Sequence, residues 1–340
     1  MATMREVAER ANVSIATVSF VVNDTKPVSP ETRARIMTAM AELGYQRNAV
    51  ARALASHRTR IVALLYPALD HRIGPTVMKF ITEAASVARE RGYDFVLWPV
   101  ANDAEQMSSL LAGGLLDGVL LMEVQLDDAR VDRLIESRVP FALIGRTSDA
   151  NLPFVDIDFD ATLEQALDYL TGLGHGHIAL VNERIPDSTH YSDGPQVRGE
   201  LAYREGMRAR GLVPHVVSCE GNPLDGRRAA TEVLRLEPRT TAILSMTELA
   251  VPGILSELRR TGLRVPADIS VLGVSSSSEM GALSDPVLTT LNAPATELGG
   301  LGVTALIDQL EGNLAGPPQI LLDCTLVIGE STGPAPTRSA

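Results

Sequence analysis

Residues 4–19 read Met4-Arg5-Glu6-Val7-Ala8-Glu9-Arg10-Ala11-Asn12-Val13-Ser14-Ile15-Ala16-Thr17-Val18-Ser19. Val7, Ala8 and Ala11 recur at helical spacing as one small apolar stripe, which predicts a first helix over Met4 to Ala11. Asn12-Val13-Ser14 interrupts it, and the Ser14 hydroxyl is placed to accept an orphan N–H at the start of a second helix, Ile15 to Asn23. Val18, Val21 and Val22 face inward on that helix. After a loop containing Pro27, Ser29-Pro30-Glu31-Thr32 reads as an N-cap, a proline at the first helical position and an acidic first turn. The third helix is expected to run to about Leu43, with Ile36, Met40 and Leu43 inside and Gly44 as a left-handed terminator.

Two short helices joined by a three-residue turn and braced by a third make a helix-turn-helix arrangement. Its working requirement is a second helix that stands clear of the core, so that outward side chains meet base edges in a major groove. On Ile15–Asn23 the outward positions are Ile15, Ala16, Thr17, Ser19, Phe20 and Asn23, small polar and apolar groups suited to base edges and thymine methyls. The same pattern also fits a generic three-helix bundle whose Thr and Ser only solvate a surface.

A net charge of −12 over 340 residues looks wrong for a nucleic-acid binder until the chain is divided. Residues 1–60 carry nine Lys or Arg against five Asp or Glu, a balance of +4, which leaves −16 on the remaining 280. A basic head on an acidic body suits contact with phosphates at one end only. The length predicts two or three domains. No run of 18 apolar residues occurs, and Met1 to Arg10 lack the apolar segment of a secretory leader, so no membrane partner and a cytoplasmic location are expected. Cys219 and Cys324 have no CxxC spacing and read as buried or idle thiols.

With its core V-A-x-x-A-x-V-S-x-x-T-V-S and the following Val21-Val22-Asn23, the opening stretch resembles the head of the lactose-repressor (LacI/GalR) family. The resemblance continues through Leu43-Gly44-Tyr45 and Asn48-Ala49-Val50-Ala51-Arg52-Ala53-Leu54. It implies that this second segment is a hinge helix formed when two copies meet on DNA, with Leu54 wedged into the minor groove. A segment this short is unstable alone in water, and an apolar wedge that kinks a base step is a known minor-groove device. Pattern and resemblance together imply a DNA-facing set of Thr3, Met4, Ser14, Ile15, Ala16, Thr17, Ser19, Phe20, Asn23, Ser29, Thr32, Tyr45, Asn48, Ala51 and Leu54. Two positions depart from the family: Phe20 stands where arginine is common, and Arg47 where proline is usual before the hinge asparagine. Phenylalanine cannot bond guanine bidentately, so the preferred base pair there should differ.

Downstream, continuous apolar strands alternate with helices: Ile61–Tyr66, Tyr93–Pro99, Gly118–Met122, Phe141–Ile144, Ile178–Val181, Thr241–Leu244 and Ile269–Gly273, with helices near 74–91, 103–112 and 129–137 between the first four. Such strands belong to parallel sheets covered on both faces, and so many βα units imply two doubly wound subdomains with a crevice at the strands' C-terminal ends. Leu173-Gly174-His175-Gly176-His177-Ile178, Gly262 to Val271 (G-x-x-V-P-x-D-x-S-V) and Leu288-Thr289-Thr290-Leu291 resemble the same family, which implies a periplasmic-binding-protein-like α/β body behind an all-α head. The expected division is 1–46 head, 47–60 hinge and linker, 61–330 effector-binding and dimerisation body, and 331–340 disordered tail. The lobes are expected at 61–158 plus 289–318 and 159–288 plus 319–330.

For a small-molecule effector the resemblance implies Asp70, Arg146, Arg198, Thr247 and Ser275, with Arg198 or its neighbour Gly199 at the position of the family's cleft arginine. Thr247-Glu248 replace an asparagine–aspartate pair, and Gly273-Val274-Ser275-Ser276 replaces G-[FY]-D-D, so Ser275 stands for a carboxylate. Sugar sites favour paired carboxylates and stacking aromatics, and with 4% aromatic residues this chain points to an effector other than an ordinary sugar, or to an altered site. Gly172 to His177 lacks the third glycine and the following helix of a dinucleotide loop. His175 and His177 have no third ligand at metal spacing, and Asp156, Asp158 and Asp160 read as a solvated strand edge. With no nucleophile elbow, P-loop or zinc motif, an enzyme is not expected, nor are a cofactor or metal. The reading is a homodimeric repressor on a palindromic operator; the lack of a heptad zipper after residue 330 favours a dimer over a tetramer.

Overall fold

The computed structural model describes residues 2–23, 26–45, 58–66, 73–100, 104–149, 151–183, 194–313 and 316–337. The chain divides into two units, Met1–Thr59 and Arg60–Ala340.

Among the described residues the head holds α1 (Met4–Ala11), α2 (Ile15–Asn23) and α3 (Pro30–Glu42). Each helix begins on a hydroxyl. Thr3 and Glu6 form a reciprocal capping box, with Glu6 N donating to Thr3 Oγ1 (3.3 Å) and Thr3 N to Glu6 Oε2 (2.7 Å). Thr17 N donates to Ser14 Oγ at 3.1 Å, and Thr32 N to Ser29 Oγ at 3.3 Å with Pro30 at the first helical position. Asn12 ends α1 in the left-handed conformation at φ 52°, which turns the chain into α2. Val7, Ala8, Ala11, Val18, Val21 and Val22 are buried as their spacing predicts. On α3 the buried pair is Ile36 and Ala39, while Leu43, expected inside, is exposed because the helix has already ended at Glu42.

In the body, β1 (Ile61–Tyr66), α4 (Pro75–Glu90), β2 (Asp94–Pro99), α5 (Ala104–Ala112), β3 (Gly118–Leu121), α6 (Ala129–Ser137), β4 (Phe141–Ile144) and β5 (Phe154–Ile157) build most of one lobe. The second lobe holds α7 (Phe159–Gly172), β6 (Ile178–Glu183), α8 (Gly194–Ala209), β7 (His215–Cys219), α9 (Pro223–Leu236) and β8 (Ala242–Ser245). It continues with a 3₁₀ turn at Glu248–Ala250, α10 (Val251–Arg260), β9 (Ser270–Ser276), α11 (Ser278–Ala282) and β10 (Thr289–Asn292). The chain closes with α12 (Ala295–Glu311), β11 (Gln319–Leu322) and β12 (Thr325–Val327).

The two six-stranded sheets run β11-β5-β4-β3-β1-β2 and β12-β10-β9-β8-β6-β7, parallel except where β12 meets β10 antiparallel. Both follow the doubly wound order 2-1-3-4-5, which opens a crevice at the carboxyl ends of the central strands. The central strands β3, β4 and β8 are buried at every residue, the signature of helices on both faces. In the second lobe α9 and α10 touch backbone to backbone: a Cβ on Gly253 would overlap Pro223 O, and one on Gly226 would overlap Ala250 O.

The crossings between lobes differ from the sequence expectation. Residues 289–292, assigned there to the first lobe, are β10 of the second sheet, in parallel register with β9 (Thr289↔Leu272). Residues 319–322, assigned to the second lobe, are β11 at the edge of the first sheet, with Ile320 opposite Val155. Strand edges seeking partners, rather than the position of the helix between them, decide where the chain crosses. The tail differs as well. Ser331 is fully buried; its Oγ donates to Val271 O (2.6 Å) and accepts from Thr289 N (2.8 Å). Gly333 N donates to Ser270 Oγ at 3.1 Å, and Ala335 N to Leu173 O at 2.8 Å. A segment whose Ser, Thr and Pro composition reads as disordered is therefore held as far as residue 335, because its hydroxyls and amides satisfy polar groups at the sheet end. Among the described residues no helix is long and apolar enough to cross a membrane.

Candidate nucleic-acid interface and ligand cleft

On the head, Ile15 is half exposed, and Ser14 and Ala16 are exposed beside it at the start of α2. Thr17, Ser19 and Phe20 are partly exposed along the same helix, opposite buried Val18, Val21 and Val22. An exposed isoleucine on a capped helix start is a poor surface for water and a good one for a thymine methyl. Thr3, Ser29 and the half-exposed Met4, Thr32 and Tyr45 lie on the described head. The Thr3, Ser14 and Ser29 hydroxyls serve as helix caps, so these side chains are held in one rotamer before any partner arrives. The ammonium of Lys26 sits 4.9 Å from the centroid of the Phe20 ring, returning a cation to the neighbourhood where phenylalanine removed one. The sequence reading missed Lys26; its proximity to a charge-lacking helix was the available signal. The Asn23 side chain and residues Asn48, Ala51 and Leu54 lie outside the described residues.

In the body, a cleft with about 1160 Å³ of empty space opens at the carboxyl ends of β1, β5, β6, β8 and β9. Its apolar walls include Tyr66, Phe80 and Phe159, with Met122 and Met246 beside them. Its polar lining includes the carboxylates Glu123, Asp156, Glu183 and Glu248, together with Gln196, Thr247 and Ser275. Thr247 is buried and its Oγ1 has no hydrogen-bond partner; the Oε1 of Gln196 is likewise unpaired. Two unsatisfied groups lining one cleft fit a ligand that supplies the missing partners. Ser275 holds φ 52°, a backbone conformation uncommon outside glycine and asparagine, at the end of β9.

Asp156 is the electrostatic centre. It is 4% exposed, not on the solvated edge that its alternation with Asp158 and Asp160 predicts. The error has a simple cause: β5 is paired on both edges, by β4 and β11, and its last three residues are buried, so it is an interior strand rather than a wet edge. Arg146 Nε donates to Asp156 Oδ2 at 3.0 Å, and Arg198 Nη2 lies 3.2 Å from the same oxygen. Arg198 Nη1 donates to Arg146 O at 2.8 Å, and Ile157 N to Asp156 Oδ1 at 2.8 Å. Burial pushes the Asp156 carboxyl above its usual range, against the pull of the Arg198 and Arg146 guanidinium groups; burial likewise draws Arg198 down. Asp158 instead caps α7, accepting from Ala161 N at 3.0 Å, and Asp160 is exposed.

Of the five residues expected at the ligand, Thr247 and Ser275 line the cleft. Arg146 and Arg198 stand behind Asp156 rather than in the lining: a Cβ on Gly194 would meet Arg198 Nη1 at 2.7 Å, so the guanidinium packs beneath backbone. Asp70 lies outside the described residues. The sequence reading missed Glu123, Glu183, Gln196 and the aromatic walls, which come from separate strand ends and share no local motif. Among the described residues, no three His, Cys, Asp or Glu are grouped to hold a metal. His175 is buried between Thr241 Oγ1 (2.9 Å) and Gly333 O (3.0 Å), a tie within the second lobe and the tail.

Residues 3–48 match the model of bacterial regulatory proteins of the lacI family, and residues 167–332 that of a periplasmic binding protein-like domain. The HTH-type transcriptional regulator CelR of Thermobifida fusca is 31% identical, covering 97% of this chain and 98% of that protein. The HTH-type transcriptional repressor PurR of Klebsiella pneumoniae subsp. pneumoniae is 30% identical, covering 91% of each. Among solved structures, the CelR–cellobiose complex superposes with a TM-score of 0.70 at 29% identity, covering 97% of this chain and 100% of that one. A lac repressor dimer bound to operator and the anti-inducer ONPF superposes at 0.85 with 24% identity over 98% and 99%, a likeness of fold.

Proposed function

The chain belongs to the lacI family of bacterial regulatory proteins and is a DNA-binding transcription regulator, and from that premise we propose that it works as a cytoplasmic homodimeric repressor whose operator affinity is set by a small molecule in the body cleft. It is a binding protein rather than an enzyme. Two heads place their α2 helices in successive major grooves of a palindrome, and Leu54 of each copy enters the central minor groove. The observation that carries the DNA reading is the exposed face of α2, where Ser14, Ile15 and Ala16 stand free of a core closed on the other side.

On that face the base-reading set is Ile15, Ala16, Thr17, Ser19, Phe20 and Asn23, while Thr3, Met4, Ser14, Ser29, Thr32, Tyr45 and Asn48 hold the phosphates and sugars. Base contacts specify and phosphate contacts position. The body contributes Thr247, Ser275 and Asp156 on the effector, with Arg146 and Arg198 holding the Asp156 carboxylate from behind; Asp70 is a further candidate contact. CelR is solved with cellobiose, and a lac repressor dimer with operator and ONPF; for this chain the hydroxyls that replace the family's carboxylate and amide at Ser275 and Thr247 favour an effector other than a plain hexose, although Tyr66, Phe80, Phe159 and four carboxylates give the cleft the aromatic and acidic groups that the sequence expectation found wanting. Coupling is a difference in effector affinity between the operator-bound and free states, which by linkage is reciprocal.

The test is selection of binding sites from random duplex DNA by the purified full-length chain. A palindromic consensus is expected, and Phe20→Arg should change the preferred base pair at one symmetric position, with a discrimination of about 1–3 kcal/mol. Retention of no sequence above random competitor at moderate salt refutes the reading. Calorimetric titration with neutral sugars tests the effector claim, and micromolar binding of an unmodified hexose overturns it.

A further inference from the structure

Glu248 opens the 3₁₀ turn after β8, in the second lobe, yet its carboxylate is bound to the first. Its Oε1 accepts from Thr76 Oγ1 at 2.9 Å and its Oε2 from Thr76 N at 3.3 Å. From its own side, Ser277 Oγ lies 3.0 Å and Ser276 Oγ 3.3 Å from Oε1. Thr76 belongs to the first turn of α4. That helix starts on Gly74, which offers no side-chain cap, and on Pro75, which has no N–H, so the first orphan amide is that of Thr76. A carboxylate from 172 residues away fills the place that a serine or aspartate cap would take, at the end of a helix dipole that favours negative charge. Gly74 leaves room for it: a Cβ there would stand 2.8 Å from Glu248 Oε2. Lys79 on α4 and Glu279 on α11 form a second, exposed ion pair across the lobes.

We propose that Glu248 is a resident anion of the cleft, a specificity-determining residue that ties the lobes together through the α4 N-terminus and confines the effector to neutral or cationic molecules. The proposal rests on the reading of this cleft as the effector site. The amide and hydroxyls that would welcome a phosphate or carboxylate are already engaged. An incoming anion must displace Glu248 or share the site with it, a like-charge contact that weakens binding by about tenfold or more. A neutral or cationic ligand meets no such barrier, and in the described lining no Lys, Arg or His is available to draw an anion elsewhere.

Hydrogen exchange of the full-length chain tests this at single amides, with formate as the probe. Glu248→Ala should speed exchange at Thr76 to Met78 by about tenfold or more, while β3, β4 and β8 keep their protection. Formate at 100 mM (about the level needed for a weak, untethered carboxylate, with chloride as the matched control) should restore that protection in the variant and leave the unsubstituted chain unchanged. Gly74→Ala should loosen the same amides with Glu248 intact, and Glu248→Gln serves if the alanine variant does not fold. Unchanged exchange in the substituted chains, or slowing of Thr76 exchange by formate in the unsubstituted chain, overturns the proposal. Failure of the operator selection would sink the regulator reading and leave these rates where they are.

Discussion

Among the described residues of the head, the buried side chains are four valines, one isoleucine and three alanines, and each of the three described helices begins on a hydroxyl cap. In the body, whole strands are buried on both faces, one helix start is capped from the opposite lobe, and charged side chains are interior. The head is a small unit whose stability rests on local devices, each contributing about 1 kcal/mol. The body has core to spare and spends part of it on holding polar groups in place. Asp156 with its two arginines shapes the cleft, whereas Arg130 and Asp128, 1% and 2% exposed, form an ion pair beneath α6 that touches no cleft residue beyond the Glu123 carbonyl. Burial of charge therefore separates the two regions more sharply than size does.

The contrast is breakable, beginning with its largest expected effect. Asp128→Ala leaves the Arg130 guanidinium buried without its partner, and should destabilise the body by about 4 kcal/mol. The single tryptophan, Trp98 on β2, reports urea unfolding of the body alone. A midpoint shift equivalent to less than about 1 kcal/mol would mean that water or another group already compensates that charge. In the head, Ile36→Ala removes the largest buried side chain of the core and should cost about 3 kcal/mol. Methyl resonances of Val7, Val18 and Val21 follow that loss, and Trp98 emission should not change. Coupled melting of both probes would show that the two units do not fold independently.

Acidification should separate them differently. Burial holds His175 below its usual 6.5, and Gly333 O, which only accepts, places the ring proton on Nε2. Below about 6.5 the unfolded chain takes up a proton that the folded body still refuses, so His175 withdraws stability as pH falls through that value toward its lower folded one. The His175 contribution to body stability should therefore fall as the pH drops below about 6.5, and His175→Gln should remove that part of the slope. The described head contains no histidine and should show no such step. The smallest effect sharpens the role of the caps: Ser14→Ala should cost about 1 kcal/mol of head stability, whereas Arg5→Ala, which removes an exposed ion pair with Glu9, should leave the thermal midpoint of the head unchanged.

How far the sequence reads into the structure follows the same division. The head is legible almost to the residue, since its helices are set by spacings of three and four and by caps next to what they cap. Even there Leu43 was placed inside, because periodicity does not register that the helix stops at Glu42. Strands β1, β2, β3, β4, β6, β8 and β9 are legible from their apolar runs, whereas β5, β7, β10, β11 and β12 are not, nor is the lobe to which β10 and β11 belong. The cleft is legible only at Thr247 and Ser275, where a resemblance pointed. The burial of Asp156 was hidden because a carboxylate alternating with two others carries the pattern of a wet edge, and only pairing on both sides of β5 makes that edge interior.

From the sequence alone come the three helices of the head, the central apolar strands of the body, the basic head on an acidic body, and the exposed face of the second helix, since each depends on neighbours within about one helical turn or on summed charge. Tertiary structure alone decided that Asp156 lies between two arginines, that residues 331–335 are tied to the second lobe, and that Glu248 caps a helix in the other lobe. Hydrogen bonds and ion pairs between residues 10 to 172 positions apart leave no period in a sequence; they exist only once the strands have brought their ends together.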